Sequence, residues 1–274
     1  MELKFTKMHG LGNDFMVVRW PDDMDLPSGD IVRGWADRNT GVGFDQLLVL
    51  QTPVQSGVAA YYRIFNSDGS EVEQCGNGAR CIARHLFTEL ERDTVTLESM
   101  AGLVEAKLQP DDTVAINLGE PNFMPSSLPC LMEAESDRYL LELVNRTVEL
   151  GAVSMGNPHA VIQVDSVETA LVGILGPELQ SHSVFPQGVN VGFVELLSSQ
   201  RLRLRVFERG VGETRACGTG AAAAVAVGRR WGLLGADVQV ELTGGILRIE
   251  WLGPGHPLWL SGPATRVFEG HIDL

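Results

Sequence analysis

The chain carries one segment twice. Phe65-Asn66-Ser67-Asp68-Gly69-Ser70-Glu71-Val72-Glu73-Gln74-Cys75-Gly76-Asn77-Gly78-Ala79 aligns at an offset of 142 with Phe207-Glu208-Arg209-Gly210-Val211-Gly212-Glu213-Thr214-Arg215-Ala216-Cys217-Gly218-Thr219-Gly220-Ala221. Phe, Glu, Cys, both glycines and the Ala coincide. The same offset relates Arg63-Ile64-Phe65 to Arg205-Val206-Phe207 and Leu118-Gly119-Glu120-Pro121 to Leu260-Ser261-Gly262-Pro263. With a small slip, Leu11-Gly12-Asn13 answers Met155-Gly156-Asn157. Similarity sustained across half a chain reads as two copies of one fold. The 274 residues are enough for one ordinary domain per copy. A Pro/Ser/Gly-rich stretch at 119–130 reads as a linker, so the halves are expected at 1–118 and 119–262. Residues 263–274 lie beyond the second copy and are expected to pack back on the first.

Short β-rich or alternating runs dominate each half: 46–50, 59–65, 94–98, 103–108 and 113–118, then 201–207, 237–242 and 246–252. Helices are expected after each repeated cysteine, over about 77–90 and 218–232. The second of these is apolar nearly all round and must be buried on most sides. The expected class is therefore mixed α/β (α+β). Each half should be a curved, mostly antiparallel sheet wrapped around a central helix.

Composition removes several functions. A net charge of −14 without a dense Lys/Arg block argues against nucleic acid. Arg201, Arg203 and Arg205 alternate and share one face of a strand, which reads as a solvated sheet face. Four cysteines, with no CxxC pair, make neither a disulfide framework nor a structural zinc site, so no metal is expected. The N-terminal segment has no apolar signal-peptide core and no stretch is long enough to span a membrane, so a reducing cytoplasm is expected.

The two Cys-Gly-x-Gly elements carry the chemistry. Each sits at a strand–turn–helix junction, where glycines permit unusual φ values and close approach of backbone amides. The following helix presents unpaired N–H groups and a partial positive charge. Such an end can lower a thiol's pKa and bind an α-carboxylate. Two related halves facing each other would set one thiol on each side of a tetrahedral carbon, as inversion by proton exchange requires. A pyridoxal route would need a Schiff-base lysine. Only Lys4, Lys7 and Lys107 exist, none beside a phosphate loop, so no cofactor is expected. Neither glycine pair extends to the dinucleotide-binding fingerprint.

Met8-His9-Gly10-Leu11-Gly12-Asn13-Asp14-Phe15, Gly43-Phe44-Asp45-Gln46, Phe65 to Ser70, Gln74 to Cys81, Met155-Gly156-Asn157-Pro158-His159, Phe207 to Gly210 and Ala216 to Gly220 resemble the diaminopimelate epimerases along essentially the whole chain. The resemblance implies interconversion of L,L- and meso-diaminopimelate, in lysine and cell-wall precursor synthesis, by a homodimer. It implies Cys75 and Cys217 as the catalytic thiols, and His159 and Glu208 as residues tuning them. Substrate contacts carry over to Asn13, Gln46, Asn66, Gly76, Asn77, Asn157, Asn190, Glu208, Arg209, Gly218 and Thr219. Arg209 suits the distal carboxylate as a bidentate partner. Thr219 stands where Ser is also common. Phe268 stands where Tyr is frequent at a dimer contact, leaving that contact apolar. Cys81 and Cys130 read as structural. Two other readings stay open: the related proline racemases, which carry His after the first Cys-Gly where this chain has Asn77, and an amino-acid-binding or redox protein in which Cys75 and Cys217 pair reversibly.

Overall fold

A computed structural model describes residues 2–72 and 75–274. Glu73 and Gln74, which enter both the repeat alignment and the family-like segment, lie outside the described residues. The chain forms two compact units, Met1–Ile116 with Gly262–Leu274, and Asn117–Ser261.

In the first unit the order is β1 (Glu2–Gly10), β2 (Asn13–Arg19), α1 (Gly29–Ala36), β3 (Gln46–Gln51), β4 (Ala60–Asn66), β5 (Glu71–Val72), α2 (Gly76–Leu90), β6 (Thr94–Ser99), β7 (Gly102–Leu108) and β8 (Val114–Asn117). In the second it is β9 (Tyr139–Leu143), β10 (Arg146–Ser154), β11 (Pro158–Gln163), α3 (Val172–Gln180), β12 (Asn190–Ser198), β13 (Arg201–Glu208), β14 (Gly212–Thr214), α4 (Gly218–Arg230), β15 (Asp237–Leu242), β16 (Gly245–Trp251) and β17 (Leu258–Gly262). The last strand, β18 (Thr265–Asp273), runs antiparallel to β1.

The pairing repeats. β1–β2 is antiparallel, β2–β3 parallel, β3–β4 and β4–β5 antiparallel, β4–β6 parallel and β6–β7 antiparallel. β10–β11, β11–β12, β12–β13, β13–β14, β13–β15 and β15–β16 run through the same sequence. Each parallel step needs a crossover. The short helices α1 and α3 supply the first in each unit, and the long helices α2 and α4 the second.

The long helices are the cores around which the strands close. α4 packs against β10, β11, β12, β13 and β16. Its residues Gly220 to Gly228 are all buried. Small side chains allow this approach: a Cβ at Gly151 on β10 would come within 2.4 Å of Val227 Cγ1. Arg229 and Arg230 fill its last turn, where cations suit the helix dipole. The strands alternate as a one-sided sheet requires; in β15, Val238, Val240 and Leu242 point inward. Opposite faces carry charge. Arg201, Arg203 and Arg205 pair with Glu241, Glu195 and Glu213 on a partly solvated face.

Residues 119–130 are not a loose tether. They belong to the second unit, where Asn122 bridges Ser154 and Leu128 is buried in a core with Leu150, Phe185 and Phe193. Among the described residues no helix is long and apolar enough to cross a membrane.

Candidate active site

Cys75 is the N-cap of α2, in extended conformation, and its sulfur accepts from the Gly78 N–H at 3.4 Å. Cys217 holds the same position on α4. Capping of this kind uses donors that the first helical turn leaves unpaired. The glycines that follow do not serve unusual φ values, as the sequence suggested. Gly76, Gly78, Gly218 and Gly220 lie within the first helical turn, and none has positive φ. Their role is space. A Cβ at Gly220 would lie 3.0 Å from Val206 Cγ2 and 3.2 Å from Cys217 Sγ, and one at Gly78 would lie 3.1 Å from Leu48 Cδ2.

Around Cys75 the first unit gathers amides. Leu11 and Gly12 both have positive φ, 56° and 85°, and close the tight hairpin that pairs Gly10 with Asn13. Left-handed backbone at a leucine is strained, and here it presents Asn13. Asn13 Oδ1 lies 3.8 Å from Cys75 Sγ and accepts from Asn77 Nδ2 at 3.3 Å. Asn13 Nδ2 donates to Asp45 at 3.1 Å, which fixes the direction of its amide. Gln46 opens β3 and Asn66 closes β4; they stand in register, and Gln46 Nε2 donates to Asn66 Oδ1 at 2.9 Å.

Around Cys217 the second unit gathers a carboxylate, an imidazole and amides. Glu208, at the end of β13, accepts from Cys217 Sγ at 3.0 Å and from the Thr214 hydroxyl. The parallel pairing of β11 and β12 sets His159 opposite Asn190. Asn190, 5% exposed, donates to the Pro158 carbonyl at 3.0 Å and accepts the Arg209 backbone N–H at 2.9 Å. The Arg209 guanidinium donates to the Gln187 carbonyl at 3.2 Å. Asn157 Nδ2 donates to Thr219 Oγ1 at 3.3 Å, while its Oδ1 faces His159 Nε2 at 3.0 Å. Thr219 Oγ1 lies 3.8 Å from Cys217 Sγ. His159 therefore reaches this thiol through Asn157 and Thr219. Phe268 belongs to neither group; it lies on β18, 47% exposed, edge-on to Phe5.

The electrostatics of the second group oppose the simple helix-dipole expectation. Burial pushes the Cys217 thiol well up, and the charge of Glu208 and its acceptance of the S–H push it further. The Gly220 N–H and the Thr219 hydroxyl act in the other direction but do not win. Desolvation and a neighbouring carboxylate outweigh one helix end. Burial and then the Arg209 charge push His159 down to about 3, so its imidazole is neutral at ordinary pH.

Several participants escaped the sequence reading. Asp14 and Asp45 flank Asn13 and Gln46 and join Lys7 and Arg38 in an ion cluster beneath the Asn13 hairpin. Arg38 and Lys7 hold Asp14 far below the usual carboxylate range against the opposing cost of burial. Thr214 and the fully buried Arg80 also escaped. α2 also carries Arg84 and His85, which are only partly buried, so residue type alone did not mark Arg80. Among the described residues, no three His, Cys, Asp or Glu side chains converge as a metal would require.

Comparison with known proteins accords with this arrangement. The family model for diaminopimelate epimerase matches residues 5–124 and 151–267. The diaminopimelate epimerase of Stutzerimonas stutzeri is 50% identical over 276 residues, and that of Pseudomonas paraeruginosa 51% over 278, each covering both chains completely. Solved structures share the fold at lower identity. A hydroxyproline epimerase from Agrobacterium vitis superposes with a TM-score of 0.68 at 15% identity, covering 99% of this chain and 92% of its own. A methylitaconate-delta-isomerase gives 0.70 at 12%, covering 99% and 95%. With the model matching both cysteine motifs and relatives half-identical from end to end, the chain belongs to the diaminopimelate epimerase family.

Proposed function

We propose that this chain interconverts L,L- and meso-diaminopimelate by moving a proton between two thiols and one α-carbon, without metal or coenzyme. The observation that carries the reading is the recurrence of one device: a cysteine capping a buried helix, ringed by amide or carboxylate side chains, once in each unit. In the forward step a thiolate takes the α-proton, the C–H pair passes into a planar carbanion, and the other thiol gives its proton to the opposite face. The first sulfur ends as thiol and the second as thiolate, so the reverse reaction exchanges their roles. Helix N-termini and side-chain amides oppose the negative charge that develops on the α-carboxylate.

The lysines support a coenzyme-free route. Lys7 is buried and held by Asp14 and the Gly43 carbonyl, Lys4 pairs with Glu269, and Lys107 with Glu105. Asn77 in place of His, together with Arg209, favours a substrate with an amino-acid group at each end over proline. The same reading carries roles in lysine and cell-wall precursor synthesis in the cytoplasm, and a homodimer with Phe268 at its contact. Purified protein without added cofactor should incorporate solvent deuterium at the α-carbon of L,L-diaminopimelate with inversion, and Cys75→Ala or Cys217→Ala should each abolish inversion. Full turnover by either single variant would refute the two-thiol route.

A further inference from the structure

The two halves repeat their backbone but not their charges. At the offset that aligns Cys75 with Cys217, Arg80 answers Ala222 and Asn66 answers Glu208. One thiol thus has a cation on its own helix and an amide at the strand end. The other has an alanine and a carboxylate.

Arg80 is an unusual side chain to bury. It is fully enclosed, and its Nε has no hydrogen-bond partner. Among the described residues, the ionisable groups that act on it are the thiols Cys75 and Cys81, and no carboxylate. A buried cation without a counter-ion is strongly disfavoured, and helices rarely keep one without use. The surroundings are shaped for it. Gly10 on β1 leaves room for the guanidinium, since a Cβ there would lie 3.3 Å from Nη2. Nη1 donates to the carbonyl of Gly76, the residue after Cys75, at 3.4 Å. Nη2 donates to Asn77 Oδ1 at 2.8 Å, which turns Asn77 Nδ2 toward Asn13 and so holds the acceptor beside Cys75.

We propose that Arg80 is a positioning residue that supplies the counter-charge for a Cys75 thiolate and sets the amides around it, so that the resting pair is thiolate at Cys75 and thiol at Cys217. The inference takes from the preceding section only that Cys75 moves a proton. Among the ionisable groups that sense Cys75 are Tyr62 on β4 and Cys81 on α2. Burial pushes each up to about 12, so both are neutral beside the Arg80 cation. Burial also pushes Arg80 down, but only to about 10, and it stays charged at neutral pH.

The test is the pH dependence of iodoacetamide labelling in full-length protein, read by peptide mass at Cys75 and at Cys217 in the same digest. Arg80→Met should raise the Cys75 midpoint by about 1–2 pH units and leave Cys217 in place. Arg80→Lys, which keeps the charge, should retain most of the wild-type midpoint. The acidic limb of kcat/KM, in the direction where Cys75 is the base, should move with the Cys75 midpoint. An unchanged Cys75 midpoint in Arg80→Met overturns the proposal, as does Arg80→Lys shifting as far as Arg80→Met. If Arg80→Met does not fold, Arg80→Gln takes its place, and the lysine variant against wild type still decides. Labelling needs no turnover. An inactive protein whose Cys75 midpoint follows Arg80 would therefore sink the epimerase reading and leave this one standing.

Discussion

Replacing Glu208 by Gln removes one charge and almost nothing else. The amide can still accept from Cys217 and from Thr214, the two partners of the carboxylate. What changes is the electrostatic cost of a thiolate whose sulfur lies 3.0 Å from a carboxylate oxygen. With charge centres about 4 Å apart and an effective dielectric of about 20, the like-charge term is about 4 kcal/mol, or about 3 pH units as a ceiling. Local relaxation and water reduce this, so the Cys217 midpoint should fall by about 1–3 units in Glu208→Gln. It should not fall to the ordinary thiol value of 9.0, because burial is the larger cause of its elevation and the substitution leaves burial intact. The assay is a titration of thiolate ultraviolet absorbance, taking the difference between Glu208→Gln and the same variant lacking Cys217. The alkaline limb of kcat/KM, in the direction where Cys217 is the proton donor, should move acidward with it. A midpoint that stays put or rises would refute the assignment of Glu208 as the charge that keeps Cys217 protonated.

Two further outcomes follow from the same geometry. Gly220→Ala puts a methyl 3.0 Å from Val206 and 3.2 Å from Cys217 Sγ; it should lower stability by about 1–3 kcal/mol and turnover by at least about tenfold, read by thermal melts and steady-state rates. His159 stays neutral in the folded chain down to about pH 3, whereas the unfolded chain takes up its proton near 6.5. That contribution to stability is present above about pH 6.5 and is lost as the pH falls, by about 1.4 kcal/mol per unit, so denaturant midpoints should drop more steeply with acid in wild type than in His159→Gln.

The strands that sequence revealed are those with clean alternation. The runs at 94–98, 103–108, 237–242 and 246–252 fall within β6, β7, β15 and β16 to within a residue or so. The helices after the cysteines were legible because small and apolar residues follow a capping position. What sequence concealed has physical reasons. β10, β11 and β12 contain continuous apolar stretches such as Leu150 to Val153, which periodicity does not separate from a buried helix. α1 and α3 are short, and α3 contains Pro177, which reads as a break. In the site, the amides were legible because they recur beside glycines at equivalent places. The electrostatics were not, because pKa depends on depth and neighbours across strands. Nothing in the order of residues says that Cys217 is enclosed while Glu208, nine positions away, turns back to meet it.

Duplication explains why two thiols stand in equivalent frames, but a symmetric pair would be a poor starting state. If both sulfurs had the same environment, the productive state with one proton between them would compete with states holding none or two. On the proposed reading, unequal surroundings remove that competition: the carboxylate at Glu208 keeps a proton on one side, and the buried guanidinium of Arg80 discourages one on the other. For the proposed two-thiol exchange the inequality must also stay modest, since each sulfur must be able to take the other's role. That constraint fits charges placed around the sulfurs, where a planar carbanion and two carboxylates of the substrate can rebalance them. On this view the backbone of the two halves was held while Asn66 and Glu208, and Arg80 and Ala222, diverged, because the frame fixes where a proton can go and the charges decide where it waits.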